Sequence, residues 1–300
     1  LKTFDVVARR LSMTAAAEEV HQSKGSVSYQ INKLERDLGF QLFERGNAKL
    51  TLTDAGRRLW HVSQSALSQI DREISDLRGV SSATVSIGAL TTLADVAEGD
   101  LAPAYAALQQ AAGAAANPGI RNAATVGGNL LQRPRCWYYR DKEIVCLKKG
   151  GTRCFAIDGQ NRYHAVLGGG PVYIVHPSSL ASPLLALNAQ AIIRGVDGQE
   201  RTIGLAELFH LPTEDPQTEH TLAPGEVLLE LRLPKAGANQ RSSYQVAKER
   251  AVYDWPLAEA TASLDLDGGV MKNVRVALGH VAPIPWGASN AARLLEGQKP

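Results

Sequence analysis

The sequence predicts a multidomain chain with three parts: a small all-α head ending in a short β-wing, one long connecting helix, and a larger α+β body. Three observations predict it. The chain has 300 residues, room for two or three domains at roughly 100–200 residues each. Helical periodicity dominates up to residue 77, whereas short strand patterns and Gly-rich turns take over from residue 84. Between them runs Gly79-Val80-Ser81-Ser82-Ala83, small residues with the composition of a linker. An apolar share of 44% with 21% charged residues describes a globular chain and excludes disorder. No stretch approaches the roughly 20 apolar residues that a membrane-spanning helix needs. Residues 1–10 already carry Lys2, Asp5, Arg9 and Arg10, unlike an export signal, so the expected location is the cytoplasm.

The head is justified element by element. Phe4, Val7, Ala8 and Leu11 recur at helical spacing, giving a first helix. Ser12 or Thr14 can cap a second, and Ala15 to His21 is short and alanine-rich, so another backbone can approach closely. Ser23 is a plausible N-cap for a third helix reaching Leu38, with Val27, Ile31, Leu34 and Leu38 as its buried stripe. Lys24, Gly25, Ser28, Tyr29, Gln30, Asn32 and Lys33 lie off that stripe, and Gly39 closes the helix. Residues 42–45 and 49–53 alternate as a small wing. Two short helices, a turn and a polar-faced third helix are the parts of a winged helix-turn-helix, whose third helix docks in the major groove of double-stranded DNA. Residues 1–79 hold twelve Lys/Arg against ten Asp/Glu, so the chain's net charge of +2 sits there. That balance is a weak pull toward a polyanion. Arg57 to Leu77 then reads as one long amphipathic helix through Leu59, Val62, Ala66, Ile70, Ile74 and Leu77. A stripe this long needs a partner, either a second copy or the next domain of its own chain.

The strings Ala15-Ala16-Ala17-Glu18-Glu19-Val20-His21-Gln22-Ser23, Ser26-Val27-Ser28-Tyr29-Gln30-Ile31, Leu42-Phe43-x-Arg45 and Leu52-Thr53-x-Ala55-Gly56 resemble the DNA-binding domain of LysR-type transcriptional regulators over about 1–78. The resemblance implies that the start of the third helix reads bases, which points to Lys24, Ser26, Ser28 and Tyr29, with Lys33 beside them. It also implies that Arg45 and Lys49 on the wing hold phosphates, contacts that position without specifying. The family often has Gln where Lys24 stands. The long helix is the family's dimerising linker, so a homodimer reading a two-fold site is implied.

The body opens with a strand at residues 84–89 and an alanine-rich helical stretch at 100–116. The string Thr125-Val126-Gly127-Gly128-Asn129 follows; paired glycines let backbone amides approach a phosphate without Cβ obstruction, although a plain tight turn has the same composition. Together with Arg133-Pro134-Arg135-Cys136-Trp137-Tyr138-Tyr139-Arg140, Asn161-Arg162-Tyr163-His164-Ala165, Val175-His176-Pro177-Ser178 and Gly279-His280-Val281-Ala282-Pro283, it resembles the FAD-binding subunit of the xanthine dehydrogenase family of molybdenum hydroxylases over about 84–300. That implies a PCMH-like α+β FAD-binding lobe over 83–234 and a C-terminal α+β flavoprotein domain over 235–300, after a winged head (1–58) and a linker (59–82). It implies FAD phosphate contacts from Thr125, Gly127, Gly128 and Asn129, with residues 87–91 and 176–178, His176 and Ser178 among them, lining the same cleft. The family's other Gly-rich loop, of Ala-Gly-Gly-Thr type, has no counterpart before Val85. Half of the phosphate cradle is therefore expected to be missing, and with it several charge-assisted hydrogen bonds of about 1.5–3 kcal/mol each.

Three cysteines, all within residues 136–154, suggest metal or cluster ligation before disulfides, with three reduced thiols as the plainer alternative. In the resembled family Cys136, Cys146 and Cys154 correspond to three ligands of an iron–sulfur cluster. The fourth cysteine would stand after Pro171, where this chain has Val172. Thiolates suit such clusters and four are usual, which leaves His164, a water, a smaller cluster or none. No nucleophile–base constellation is visible, so no catalytic residue is predicted. The functional expectation is a sequence-specific DNA-binding module fused to a partial flavin electron-transfer subunit, whose partners would be the molybdenum and 2Fe–2S subunits of a hydroxylase. Alternatives are a flavin subunit with an adventitious N-terminal fusion, or a chimera without function. On any of these readings the chain alone would not hydroxylate a substrate.

Overall fold

The computed structural model describes residues 2–20, 22–45, 50–60, 62–63, 84–250 and 254–300. The chain divides into two compact units, Leu1–Ser82 and Ala83–Pro300.

The first unit is a three-helix core with a wing. Helices α1 (Lys2–Arg10), α2 (Met13–Glu19) and α3 (Lys24–Leu38) are followed by an antiparallel pair, β1 (Phe43–Arg45) and β2 (Leu50–Leu52). Ser12 caps α2 and Ser23 caps α3, each through a side-chain oxygen accepting a backbone N–H three residues on. Gly39 ends α3 in the left-handed conformation at φ 78°. Phe4, Val7, Ala8, Ala16, Ala17, Val27 and Ile31 form the core, and Phe4 meets Phe43 of the wing edge-on at 5.6 Å. Glu35 Oε1 accepts the amides of Leu42 and Phe43 at 2.7 and 3.1 Å, tying the wing to α3. Leu34 is only half-buried and Leu38 is exposed. The stripe read from sequence therefore ends a turn early: α3 has fifteen residues against nine in α1, so its last turn outruns its partners. Residues 54–60 open the next helix. Most of the expected linker helix lies outside the described residues.

The second unit contains two antiparallel sheets with helices between. The first sheet has the order β3-β6-β4-β5, from β3 (Thr84–Gly88), β4 (Gln190–Arg194), β5 (Glu200–Gly204) and β6 (Val227–Pro234). Helices α4 (Leu93–Glu98), α5 (Ala106–Ala114), α6 (Pro118–Ala123), α7 (Val126–Leu130) and α8 (Trp137–Arg140) separate β3 from β4 in the chain, as does α9 (Ala181–Ala186). The second sheet runs β10-β9-β8-β7, from β7 (Gln240–Ala247), β8 (Ala258–Asp267), β9 (Val270–Gly279) and β10 (Trp286–Gly287); α10 (Ser289–Leu295) follows. Gly268 and Gly269, both at positive φ, form the two-residue turn joining β8 to β9, where residues with a Cβ would be strained. The expected boundary near residue 234 falls inside this unit. Helix α5 binds β7 through the Ala107 amide on Ser242 Oγ (3.1 Å) and Gln110 Oε1 on the Tyr244 amide (2.8 Å), and one apolar core runs through Leu108, Leu180, Ile193, Leu231 and Tyr244.

Candidate functional site

In the first unit the sequence dictates which face of α3 meets water. Val27 and Ile31 are buried, so residues a third of a turn away must face out. Lys24, Tyr29 and Lys33 are exposed and Ser28 is half-exposed. Tyr29, at 61% exposed, is a large ring left in solvent on a well-packed helix. Ser26 belongs less to this face, because its Oγ donates to Gln22 Oε1 at 3.2 Å. Gln30 turns inward, donating to Gln22 Oε1 (2.9 Å) and accepting from Thr3 Oγ1 (2.5 Å). The side chain of Arg45, and Lys49 altogether, lie outside the described residues.

In the second unit the turn after β3 and the start of α7 lie edge to edge. Thr92 bridges Thr125, the Val126 amide donates to Thr91 O (2.8 Å) and the Gly127 amide to Ala89 O (2.8 Å). A Cβ on Gly127 would stand 2.9 Å from Ala89 Cβ and 3.1 Å from its carbonyl oxygen, so this approach requires glycine. The Gly128 amide donates to Thr125 Oγ1 at 3.1 Å. The amides expected to meet a phosphate therefore bond within the chain, and the glycines serve close packing. What faces out is the Gly128 surface, half-exposed Thr125 and Asn129, and Leu90, 86% exposed. His176 and Ser178 are corrections. Both are buried: Ser178 Oγ donates to Asn129 Oδ1 (2.6 Å) and accepts the Ala181 amide (3.1 Å), and the His176 ring lies 4.5 Å from that of Phe209. Burial pushes the His176 pKa down to about 3, with His280 adding to it, so the ring is neutral. Neither side chain reaches a cleft; they hold Asn129 and the 176–181 turn in place. The residues present thus fit one side of a dinucleotide cradle, through the Thr125 hydroxyl, the Asn129 amide and an unobstructed Gly128.

The cysteine segment closes on itself. Cys136, Cys146, Cys154, His164 and Val172 line one small cavity. Cys146 and Cys154 are buried and Cys136 is partly so. Burial pushes the Cys136 thiol up, against the amides of Tyr139 and Tyr138. Its Sγ lies 3.2 Å from His164 Nε2. Lys148 anchors the loop: it is 2% exposed and pairs with buried Glu219 at 2.7 Å, which Arg133 also contacts at 3.1 Å. As the side chains stand, no group of three or more His, Cys, Asp or Glu among the described residues is placed to hold a metal ion.

One cluster was missed from sequence. Glu259 of β8, 2% exposed, accepts Tyr244 Oη (2.6 Å) and Ser182 Oγ (2.7 Å), and His280 Nε2 lies 3.5 Å from its Oε2. Burial raises the Glu259 carboxyl to about 8 and lowers His280 to about 4, so at neutral pH both are uncharged and the contact is not an ion pair. The available signal was parity: Glu259, Thr261 and Ser263 share the inward face of an otherwise alanine-rich strand.

The match to known proteins fits this layout. Residues 67–236 match the model of the FAD binding domain in molybdopterin dehydrogenase, and residues 242–300 that of the CO dehydrogenase flavoprotein C-terminal domain. The aldehyde oxidoreductase FAD-binding subunit PaoB of Escherichia coli (strain K12) is 36% identical over 229 residues, 75% of this chain and 69% of that protein. Among solved structures, the carbon monoxide dehydrogenase of Hydrogenophaga pseudoflava superposes with a TM-score of 0.51 at 24% identity, over 72% of this chain and 59% of that one. That likeness speaks for the fold. The chain belongs to the family of FAD-binding domains of molybdopterin dehydrogenases. Ahead of that domain it carries a LysR-type module, since residues 1–57 match the bacterial regulatory helix-turn-helix of the lysR family. The regulator DsdC of Escherichia coli (strain K12) is 42% identical over 78 residues, 26% of this chain and 25% of that protein. The chain is thus a fusion of the two, spanning about a quarter of that regulator and three-fifths of the solved dehydrogenase chain. Among the described residues no helix is long and apolar enough to cross a membrane.

Proposed function

We propose that the chain is a flavin-carrying DNA-binding protein. Double-stranded DNA is read by Lys24, Ser28 and Tyr29 of α3, with Ser26 set back, and Lys33, Arg45 and Lys49 hold phosphates. A homodimer formed through the helix in residues 59–82 presents two such heads. FAD lies against the outer edge of Thr125, Gly128 and Asn129, where Gly127 permits the close packing and Ser178 and His176 fix the loops. When bound, FAD supplies exchange between two-electron and one-electron steps. The protein's part is to orient the cofactor and exclude water. The carrying observation is the exposed Lys24–Tyr29–Lys33 face on a helix whose other side is fully packed.

The test measures binding of the full chain to inverted-repeat duplexes, with flavin absorbance read on the same sample. Binding that falls steeply with salt, and is lost in K24A/S28A, is expected. Equal binding by wild type and variant would overturn the reading. A second reading is favoured by the 69% coverage of PaoB: an electron-transfer subunit that assembles with molybdenum and 2Fe–2S subunits. It predicts co-purification with such subunits and near-equimolar flavin without DNA binding.

A further inference from the structure

We infer that His164 serves as the fourth protein ligand of an iron–sulfur cluster whose other ligands are Cys136, Cys146 and Cys154. The inference rests on four observations. Three thiols and one imidazole line the same cavity, although they come from sequence positions up to 28 residues apart. Val172, on the same wall, has no ligating atom and is 2% exposed. His164 is 7% exposed, and its Nδ1 is buried without a hydrogen-bond partner. Buried polar atoms are nearly always paired, so an orphan in a thiol-lined cavity calls for a ligand-binding explanation. Its ring is also held between Trp137 and Tyr138, at 5.0 and 6.1 Å between ring centres, which restricts its movement.

The kind of metal group follows from the spacing. The side chains are not gathered as they would be around a single ion. A cluster places each ligand on a different iron, so its thiolates need to surround a cavity without converging on one point. Soft thiolates select iron–sulfur chemistry and imidazole serves iron equally well. On ligation the three thiols release their protons. The Cys136 Sγ–His164 Nε2 contact of 3.2 Å is then exchanged for one bond from each group to iron.

This inference needs neither DNA nor FAD, and flavin is assayed in the same samples, so each reading fails separately. The full chain is supplied with iron and sulfide under anaerobic conditions. Iron, acid-labile sulfide, the electron paramagnetic resonance spectrum of the reduced protein and its midpoint potential are then measured. Wild type is expected to hold iron and sulfide in equal amounts, and H164A to lose most of both. The double variant H164A/V172C, with four thiolates, is expected to regain the cluster at a lower potential, because imidazole ligation raises cluster potentials. A wild-type chain that takes up no iron and sulfide overturns the inference. So does an H164A variant with unchanged content and spectrum. Failure of H164A/V172C to regain the cluster also counts against it, since loss in H164A would then reflect a damaged fold.

Discussion

At the residue scale, the titration of Glu259 leaves a signature in stability. Its folded pKa of about 8 lies above the ordinary carboxyl value of 4.5, so between those limits the folded chain binds a proton that the unfolded chain lacks. Stability must therefore fall as pH rises through that window. His176 and His280 work in the opposite sense. Their folded values of about 3 and 4 lie below 6.5, so the unfolded chain binds the extra protons and stability rises with pH up to about 6.5. The two effects overlap below pH 6.5 and separate above it. Wild type is expected to lose stability between pH 6.5 and 8 and E259Q to stay flat there, while both lose stability below pH 6. Urea unfolding at pH 5, 6.5 and 8 checks this, and a wild-type curve that is level from 6.5 to 8 would remove Glu259 as the cause. None of this was visible in the sequence, because it depends on the register of β8 between β7 and β9.

At the element scale, what was legible divides by range. Helix α3 was legible because its cap, stripe and Gly39 stop lie within one stretch, and only its overhanging Leu38 was misjudged. The neighbourhood of residues 87–91, 125–129 and 176–178 was legible through resemblance. The burial of His176 was not, since the ring packs on Phe209, 33 positions later. The meeting of the three cysteines was expected, but the Lys148–Glu219 pair that clamps their loop was not, with 71 positions between the partners. That pair carries a prediction. Burial lowers the Lys148 pKa and Glu219 opposes it, so removing the carboxylate strands a buried cation. E219A should cost about 3–5 kcal/mol, the usual penalty for breaking a buried pair. K148M/E219L, which removes both charges, should recover much of the loss. Denaturant midpoints measure both, and equal losses in the two variants would mean that packing, not charge, holds the loop.

At the scale of the whole molecule, a net charge of +2 over 300 residues gives no global attraction to a polyanion. DNA affinity must then come from a few exposed cations on α3 and the wing, doubled if two heads bind one site. Phosphate contacts and base contacts separate experimentally. Each phosphate-bound cation releases counterions and steepens the salt dependence, whereas a base contact changes the ranking of sequences. Lys33, exposed two turns beyond the N-terminal end of α3, suits the first role, and Lys24 at that end suits the second. K33A in the full-length chain should reduce the logarithmic salt slope by about 1 per bound head and weaken binding to all duplexes alike. K24A should instead cost about 1–3 kcal/mol on the preferred site and little on others. Titrations of specific and scrambled duplexes at several salt concentrations distinguish the two. If both variants only flatten the salt slope, the face is an electrostatic contact without sequence preference. The fused flavin domain would then be held near DNA in general instead of at a chosen site.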